Sequence, residues 1–338
     1  MNLSNTLLES SHFPVMLDEV IKICSPEKGG IFVDCTFGGG GYSKEILKFP
    51  NTSVIAFDRD KKVEKNAKIL KDKYSNRFSF FNEKFSNLQK VLDNKKKVDA
   101  IIFDLGLSTF QLQDMSRGFS FKSKDKIDMN MGLAPFSAED VLNNLDEKSL
   151  KSIIKIFGDE KEAFKIVKNI INFRKTKRIS KVIDLVKLIE SSKKKNFKKK
   201  INVCTKTFQA LRIFVNKETS ELIEGIIKAT KFVKPGGKII VVSFHSIEDK
   251  IVKYYFNNFS TDRSRPSRYL PEDKNNSIVL FKKRNNFLIP SSKEIRINPP
   301  SRSAKLRFSI RNDNNFIEPT ELKDKFKKYL NLEEINAQ

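Results

Sequence analysis

Four consecutive glycines, Gly38 to Gly41, follow closely on the apolar run Ile31 to Cys35 and its acidic residue Asp34. A strand that runs into glycines can turn sharply and bring its backbone against a ligand with no Cβ in the way. The helix expected next, at about Ser43 to Lys48, would present unpaired N–H groups at its start. A second apolar run, Ser53 to Phe57, ends in Asp58, so the order reads strand, glycine loop, helix, strand, carboxylate. In doubly wound sheets ligands lie at the carboxyl ends of the strands, and an acid about 20 residues past the glycines can accept hydrogen bonds from ribose hydroxyls.

The ligand suggested is a nucleoside cofactor, and two details bear on which one. The G-x-G-x-x-G fingerprint of dinucleotide sites is incomplete, because Ser43 stands where the third glycine belongs. A helix N-terminus by itself favours anions, but here Asp34 precedes the loop. A carboxylate there suits a cation such as the methionine end of S-adenosylmethionine, which carries an ammonium and a sulfonium. Gly38 and Gly39 belong to the same candidate loop. A solvated aspartate at a strand end explains either Asp34 or Asp58 alone, but it explains the pair less well.

At 338 residues the chain has room for a full α/β domain and a second module. Its formal charge of +24 points to a polyanionic partner, since Lys and Arg that neutralise phosphates release counterions. The excess of Lys over Arg and the many Asn are also what AT-rich coding produces, which weakens that inference. Cys24, Cys35 and Cys204 form no C-x-x-C pair and the only histidines are His12 and His245, so neither a metal site nor a disulfide framework is expected. No apolar stretch has the length of a membrane span and the polar start is no signal peptide, which predicts a cytoplasmic protein.

Seven strand-like runs can be counted: Ile31 to Cys35, Ser53 to Asp58, Phe78 to Phe81, Val98 to Leu105, Lys238 to Phe244, Ser277 to Lys282 and Lys305 to Arg311. The first five are spaced for crossover helices, which predicts a parallel sheet covered on both faces. The last two lack a helix between them and are expected to pair antiparallel at the sheet edge. The stretch from Gln113 to Cys204 is too long for one crossover. It carries helical periodicity at Ala138 to Leu145, Leu150 to Ile156, Asp159 to Phe173 and Val182 to Ile189. The expected organisation is therefore a first sheet part over 1–112, an inserted all-helical domain over 113–204, a second sheet part over 205–311 and a tail over 312–338, helical or mobile. Further helix signals from Thr207 and from Thr219 run to the stop at Pro235-Gly236-Gly237. Ser191 to Lys200 holds six lysines in ten residues; with Arg174, Lys175, Lys177 and Arg178 it would make a phosphate-contacting flank, or simply a solvated surface.

Asp104 closes the fourth strand and begins Asp104-Leu105-Gly106-Leu107-Ser108-Thr109. A polar group there would face the reactive end of a cofactor, either orienting it or accepting an N–H from an amine being alkylated; Ser108 is a further candidate. His245 lies just past the fifth strand, where it is either a structural hydrogen-bonder or a base contact. Ser246-Ile247-Glu248-Asp249 has the spacing of a capping box with Ser246 as the cap. Arg302, Lys305 and Arg307 lie before and within the last strand, and Arg302 is the preferred phosphate contact.

Several segments occur in one order: His12-Phe13-Pro14-Val15-Met16-Leu17, the glycine run, Phe57-Asp58-Arg59-Asp60, the Asp104 run, Arg117-Gly118-Phe119-Ser120-Phe121, Asp128-Met129, Thr207 to Ile213 with Arg212, Ser243 to Asp249, and Ser301 to Arg307. Together, over residues 12 to 311, they closely resemble the bacterial ribosomal RNA small subunit methyltransferase H family, also called MraW. The resemblance implies a class I, Rossmann-like methyltransferase with a seven-stranded doubly wound sheet, S-adenosylmethionine as donor, and N4 of a decoding-centre cytidine in small-subunit rRNA as acceptor. It implies cofactor contacts from Gly40, Gly41, Tyr42, Asp58, Phe85, Asp104 and Gln111. The candidate RNA contacts, chosen as basic residues, are Arg174, Arg178, Arg212, Arg302 and Lys305. The expected partner is the rRNA or the small ribosomal subunit, and the expected state a monomer or homodimer. The chain departs from the family pattern at Tyr42, where the family has His, and at Asn130 and Gly132, where it has charged residues. The competing readings are a basic RNA-binding assembly protein on this fold and a nicotinamide or flavin oxidoreductase.

Overall fold

A computed structural model of the protein describes residues 14–92, 97–193, 202–261, 278–282 and 287–337. His12, Phe13, Ser277 and most of the lysine run, Lys194 to Lys200, lie outside the described residues. The chain divides into two compact units, residues 1–106 with 222–324 and residues 107–221 with 325–338.

The first unit is built on one sheet of β1 (Gly30–Asp34), β2 (Thr52–Asp58), β3 (Phe78–Asn82), β4 (Val98–Asp104), β5 (Val233–Ser243) and β6 (Lys305–Ile310), in the order β3-β2-β1-β4-β5-β6. β1 to β5 run parallel and β6 is antiparallel to β5. Strands buried on both faces read as continuous apolar runs, which is why Val98 to Phe103 shows little alternation. Ala100 and Ile102 pack on one face with Phe32, Val54, Ile240 and Leu306, together with Val20, Ile46 and Leu70 from helices. Ile101 and Phe103 project from the opposite face of the sheet and are likewise fully buried. Each such side chain contributes roughly 1.5–3 kcal/mol by leaving water.

The strand order reverses between β1 and β4, and the register brings Asp34 level with Ile102 on β4 and Ala56 on β2. Asp34, Asp58 and Asp104 thus end three neighbouring strands. β5 begins at Val233, earlier than the sequence suggests, because the register shifts between Val98 and Ala100 and the Pro235-Gly236-Gly237 turn is looped out of the ladder, with Gly236 at φ 78°.

The seventh strand is not formed: the sheet of the described residues has six. Of the described residues 278–282 only Phe281 makes bridges, parallel to Ser260 and antiparallel to Arg311. Backbone bonds flank that second bridge, Lys282 N to Ile310 O at 2.9 Å and Asn312 N to Leu280 O at 3.0 Å, and side chains add to them. Asn312 Nδ2 donates to the Val279 carbonyl at 2.9 Å and Arg311 Nη1 to the Leu280 carbonyl at 3.0 Å.

The second unit is helical, with helices at Ala138–Asn144, Glu147–Gly158, Ala163–Arg174, Val182–Ser192 and Thr205–Asn216. Asp159 ends the second of these in the left-handed region, so the third starts at Ala163 rather than at Asp159. Gly158 allows the backbone at Lys206 to approach: a Cβ there would lie 2.5 Å from the Lys206 carbonyl oxygen. Buried Asn216 accepts from Met131 N at 2.8 Å and donates to the Met129 carbonyl at 2.8 Å. Asn130, one of the departures from the family pattern, holds the turn by accepting from Gly132 N at 2.6 Å. The three cysteines are buried and unbridged. No helix among the described residues is long and apolar enough to cross a membrane.

Candidate active site

The glycine loop is tied to both neighbouring strand ends. Cys35 N donates to Ile102 O and Phe37 N to Phe57 O, each at 2.9 Å. The Thr36 hydroxyl accepts from Asp104 N at 2.7 Å. Gly38 and Gly40 have φ of 50° and 74°, where a side chain would be strained. A Cβ on Gly41 would meet Pro14 at 2.5 Å, so part of the glycine requirement is packing against the chain's own N-terminal segment. The helix then starts at Gly41 and runs to Leu47.

Each carboxylate has a distinct set of partners. Asp34, buried, accepts from the Ser43 hydroxyl at 2.7 Å and from Thr36 N at 3.3 Å. Burial raises its pKa to about 6 against the pull of these bonds. Asp58 accepts from Gly38 N at 2.7 Å through Oδ2 and from Asp60 N at 2.8 Å through Oδ1. Desolvation carries it to about 6 as well, with the Asp60 and Asp34 charges adding to the rise. Each of its oxygens keeps a second lone pair for a ribose hydroxyl. Asp104 is pushed well above the usual carboxylate range, first by desolvation and then by the charge of Asp34. Its Oδ2 lies 3.4 Å from the Tyr42 hydroxyl, while its Oδ1 is shielded from solvent and has no hydrogen-bond partner among the described residues.

Tyr42 is buried, and its hydroxyl donates to the Val15 carbonyl in a short hydrogen bond. Its side chain therefore fastens the N-terminal segment beside Asp104. Phe85 is half-buried, edge-on to Phe103 with centroids 5.2 Å apart. It rests on Gly225, where a Cβ would lie 2.5 Å from its ring.

His245, not Ser246, caps the helix Ser246–Asn258. Glu248 Oε2 accepts from Phe244 N at 2.9 Å and from His245 N at 3.2 Å, and Glu248 Oε1 stands 3.1 Å from His245 Nε2. The capping box lies one residue earlier than the sequence suggests because Glu248, with its longer side chain, reaches back to the cap. Asp249 is released to pair with Lys305 at 2.9 Å and Arg307 at 2.7 Å. Lys305, a proposed RNA contact, is thus already partnered, whereas Arg302 is exposed on the turn Pro299–Ser303.

The remaining candidates belong to the second unit. Ser108 and Gln111 form a reciprocal capping box, with Ser108 N donating to Gln111 Oε1 at 3.0 Å and Gln111 N to Ser108 Oγ at 3.2 Å. Arg174 donates to the Leu142 carbonyl, exposed Arg178 pairs with Glu139, and Arg212 makes a two-pronged contact with Glu218 at 2.8 Å and 2.8 Å. Sequence reasoning missed Thr36, Ser43, Asp60 and the Val15 carbonyl. Of these only Asp60 left a signal, as the second acid of Asp58-Arg59-Asp60.

A doubly wound sheet with an antiparallel last strand and acids at the switch point is the fold of a class I methyltransferase. The model of the MraW methylase family matches residues 9–312, and the chain belongs to that family. A protein named ribosomal RNA small subunit methyltransferase H from Ehrlichia canis is 42% identical over 299 residues, 88% of this chain and 98% of its own length. One of the same name from Rickettsia akari is 41% identical over 304 residues, 88% of this chain and 97% of its own. The solved structure of an rRNA methylase from Streptococcus thermophilus covers 88% of this chain and 94% of that one at 11% identity and a TM-score of 0.39, too distant to bear on function.

Proposed function

We propose that the protein methylates the exocyclic N4 of a decoding-centre cytidine in small-subunit rRNA, with S-adenosylmethionine as donor. The names of the relatives support the substrate class, and the carboxylates at the ends of β1, β2 and β4 support the donor. The observation that carries the reading is Asp104 Oδ1, a shielded acceptor with no partner beside two further acids whose pKa values are raised. Buried carboxylates without matching cations are costly until a cation arrives. An ammonium and a sulfonium are such cations, whereas a dinucleotide's pyrophosphate would add negative charge.

When bound, the cofactor would supply an electrophilic methyl group on its sulfonium, to be taken up by the amine nitrogen with S-adenosylhomocysteine as the leaving group. Asp58 accepts the ribose hydroxyls while its bonds to Gly38 N and Asp60 N keep the loop closed. Asp34 supplies negative charge behind the glycines and is itself held by Ser43. Asp104, restored to its ionised form by nearby positive charge, accepts an N–H of the amine through Oδ1, aims the nitrogen lone pair and takes the proton. Positioning of this kind supplies much of the acceleration in such a transfer.

The test is to map N4-methylcytidine by mass spectrometry in small-subunit rRNA from cells with and without the gene. Loss of the mark at one decoding-centre cytidine is expected; an unchanged methylation map contradicts the reading. Titration with S-adenosylhomocysteine and with NAD separates the cofactors, and tight NAD binding without S-adenosylhomocysteine binding would overturn the assignment.

A further inference from the structure

We propose that Phe287, backed by Arg307 and Lys305 on the edge strand, is a stacking platform for an unpaired base of single-stranded RNA. The inference rests on the rRNA reading above and names a substrate contact that neither the motifs nor the carboxylate site contains.

The platform is set by backbone register. Leu288 and Leu306 exchange hydrogen bonds, Leu288 N to Leu306 O at 2.9 Å and Leu306 N to Leu288 O at 3.0 Å, in an antiparallel bridge on β6. In that register Phe287 stands opposite Arg307, with Lys305 on the diagonal, and residues two apart on a strand share a face. The Arg307 guanidinium carbon lies 5.0 Å from the Phe287 ring centroid and the Lys305 ammonium 5.5 Å. Both cations are held in place by Asp249, which leaves one positive charge in excess beside the ring.

Phe287 is nevertheless 45% exposed. A phenylalanine kept only for packing gains nothing from that exposure, whereas an aromatic ring with cations fixed against it is a surface on which any base can stack. The excess charge beside the ring, exposed Arg302 three residues before Lys305, and the +24 charge of the chain all favour a polyanion over a protein partner. Exposed Ile289, at 64%, lies two residues from Phe287 but is aliphatic, with no π face, and is not part of the platform.

The chain contains no tryptophan, so Phe287→Trp places a single fluorescent reporter in the full-length protein. Titration with a dye-labelled, unstructured pyrimidine RNA should quench that tryptophan in step with the rise in RNA anisotropy. Phe287→Ala should weaken binding about tenfold. Phe287→Leu, which keeps apolar bulk without a π face, should behave like Ala, while Phe287→Trp should bind as wild type or tighter. An unquenched tryptophan at saturating RNA, or wild-type affinity in Phe287→Leu, overturns the proposal. So does a fluorescence change that follows protein concentration without RNA, which would mark a protein contact. Methyl transfer to isolated small subunits, measured in parallel, separates the two claims. Transfer with a silent tryptophan sinks only the platform; absence of transfer in the wild-type protein sinks the rRNA reading.

Discussion

Asp104 and Asp249 are both aspartates of the sheet unit, and they stand in opposite surroundings. Asp249 has two cations on it: burial works to raise its pKa, but the bonds and charges of Arg307 and Lys305 outweigh this and bring it below the usual carboxylate range. Among the described residues no cation pairs with Asp104, which shares its region with Asp34, so burial and like charge drive it up. A matched acid holds structure together, because both its oxygens are occupied. An unmatched acid stores an unfavourable interaction that only a positively charged ligand relieves. The difference separates the residues that fix the edge strand from those that await the cofactor.

The largest expected effect tests the unmatched side. Asp104→Ala should lower the single-turnover rate of methyl transfer at saturating cofactor by roughly a hundredfold, the scale of a lost positioning contact. An unchanged rate would reduce Asp104 to a cofactor-orienting residue. Asp58→Ala should act mainly on binding, weakening S-adenosylhomocysteine roughly ten- to hundredfold by calorimetry, as expected for lost hydrogen bonds to a charged acceptor. A fall in rate at saturation with intact affinity would contradict that division.

Asp249→Asn tests the matched side. It should cost about 1.5–3 kcal/mol of stability in chemical denaturation, the worth of hydrogen bonds to a charged group, and leave cofactor affinity alone. Asp34→Asn should do the reverse, raising ligand-free stability by about 1–2 kcal/mol at pH 7 while weakening the cofactor. The sign follows from the proton count. With a folded pKa of about 6 against an ordinary value of 3.8, folded Asp34 binds more protons than the unfolded chain in that window, so its contribution falls as pH rises from about 4 to 6. Asp249, depressed, contributes stability above the ordinary carboxylate pKa and loses it as the solution is acidified below that. The smallest effect is expected for Tyr42→Phe, a few-fold loss of cofactor affinity, because its one hydroxyl proton goes to the Val15 carbonyl and Asp104 lies 3.4 Å away.

Much of this unit can be read from the chain because parallel strands announce themselves. Ala100 to Phe103 and Val54 to Phe57 are apolar throughout, and the acids that follow mark where water or ligand begins. What could not be read depends on side chains reaching across the fold. Thr36 accepts from Asp104 N only because β1 and β4 are neighbours, a fact of sheet order rather than of spacing. The described part of the run, 278–282, meets its neighbour only around the Phe281–Arg311 bridge, where the side chains of Arg311 and Asn312 also bond its carbonyls, and nothing local to the run reports that. His245 displaced Ser246 as cap because a glutamate three residues on reached back, so a strong serine signal lost to a longer acid. Arg212, a candidate for RNA, faces Glu218 only six residues away, a pairing that a helix end makes possible and that periodicity does not reveal.

The central claim is that the strand-end acids form a cation site, and proton release on cofactor binding tests it most directly. Calorimetric titration with S-adenosylmethionine between pH 5 and 7, in two buffers of different ionisation enthalpy, counts protons. Over that range the ligand's amine stays charged. The account predicts protons released at pH 5 to 6 and an affinity that rises with pH through about 6, as Asp34 and Asp58 are forced to ionise. Binding that takes up protons, or that is indifferent to pH across this window, would contradict it.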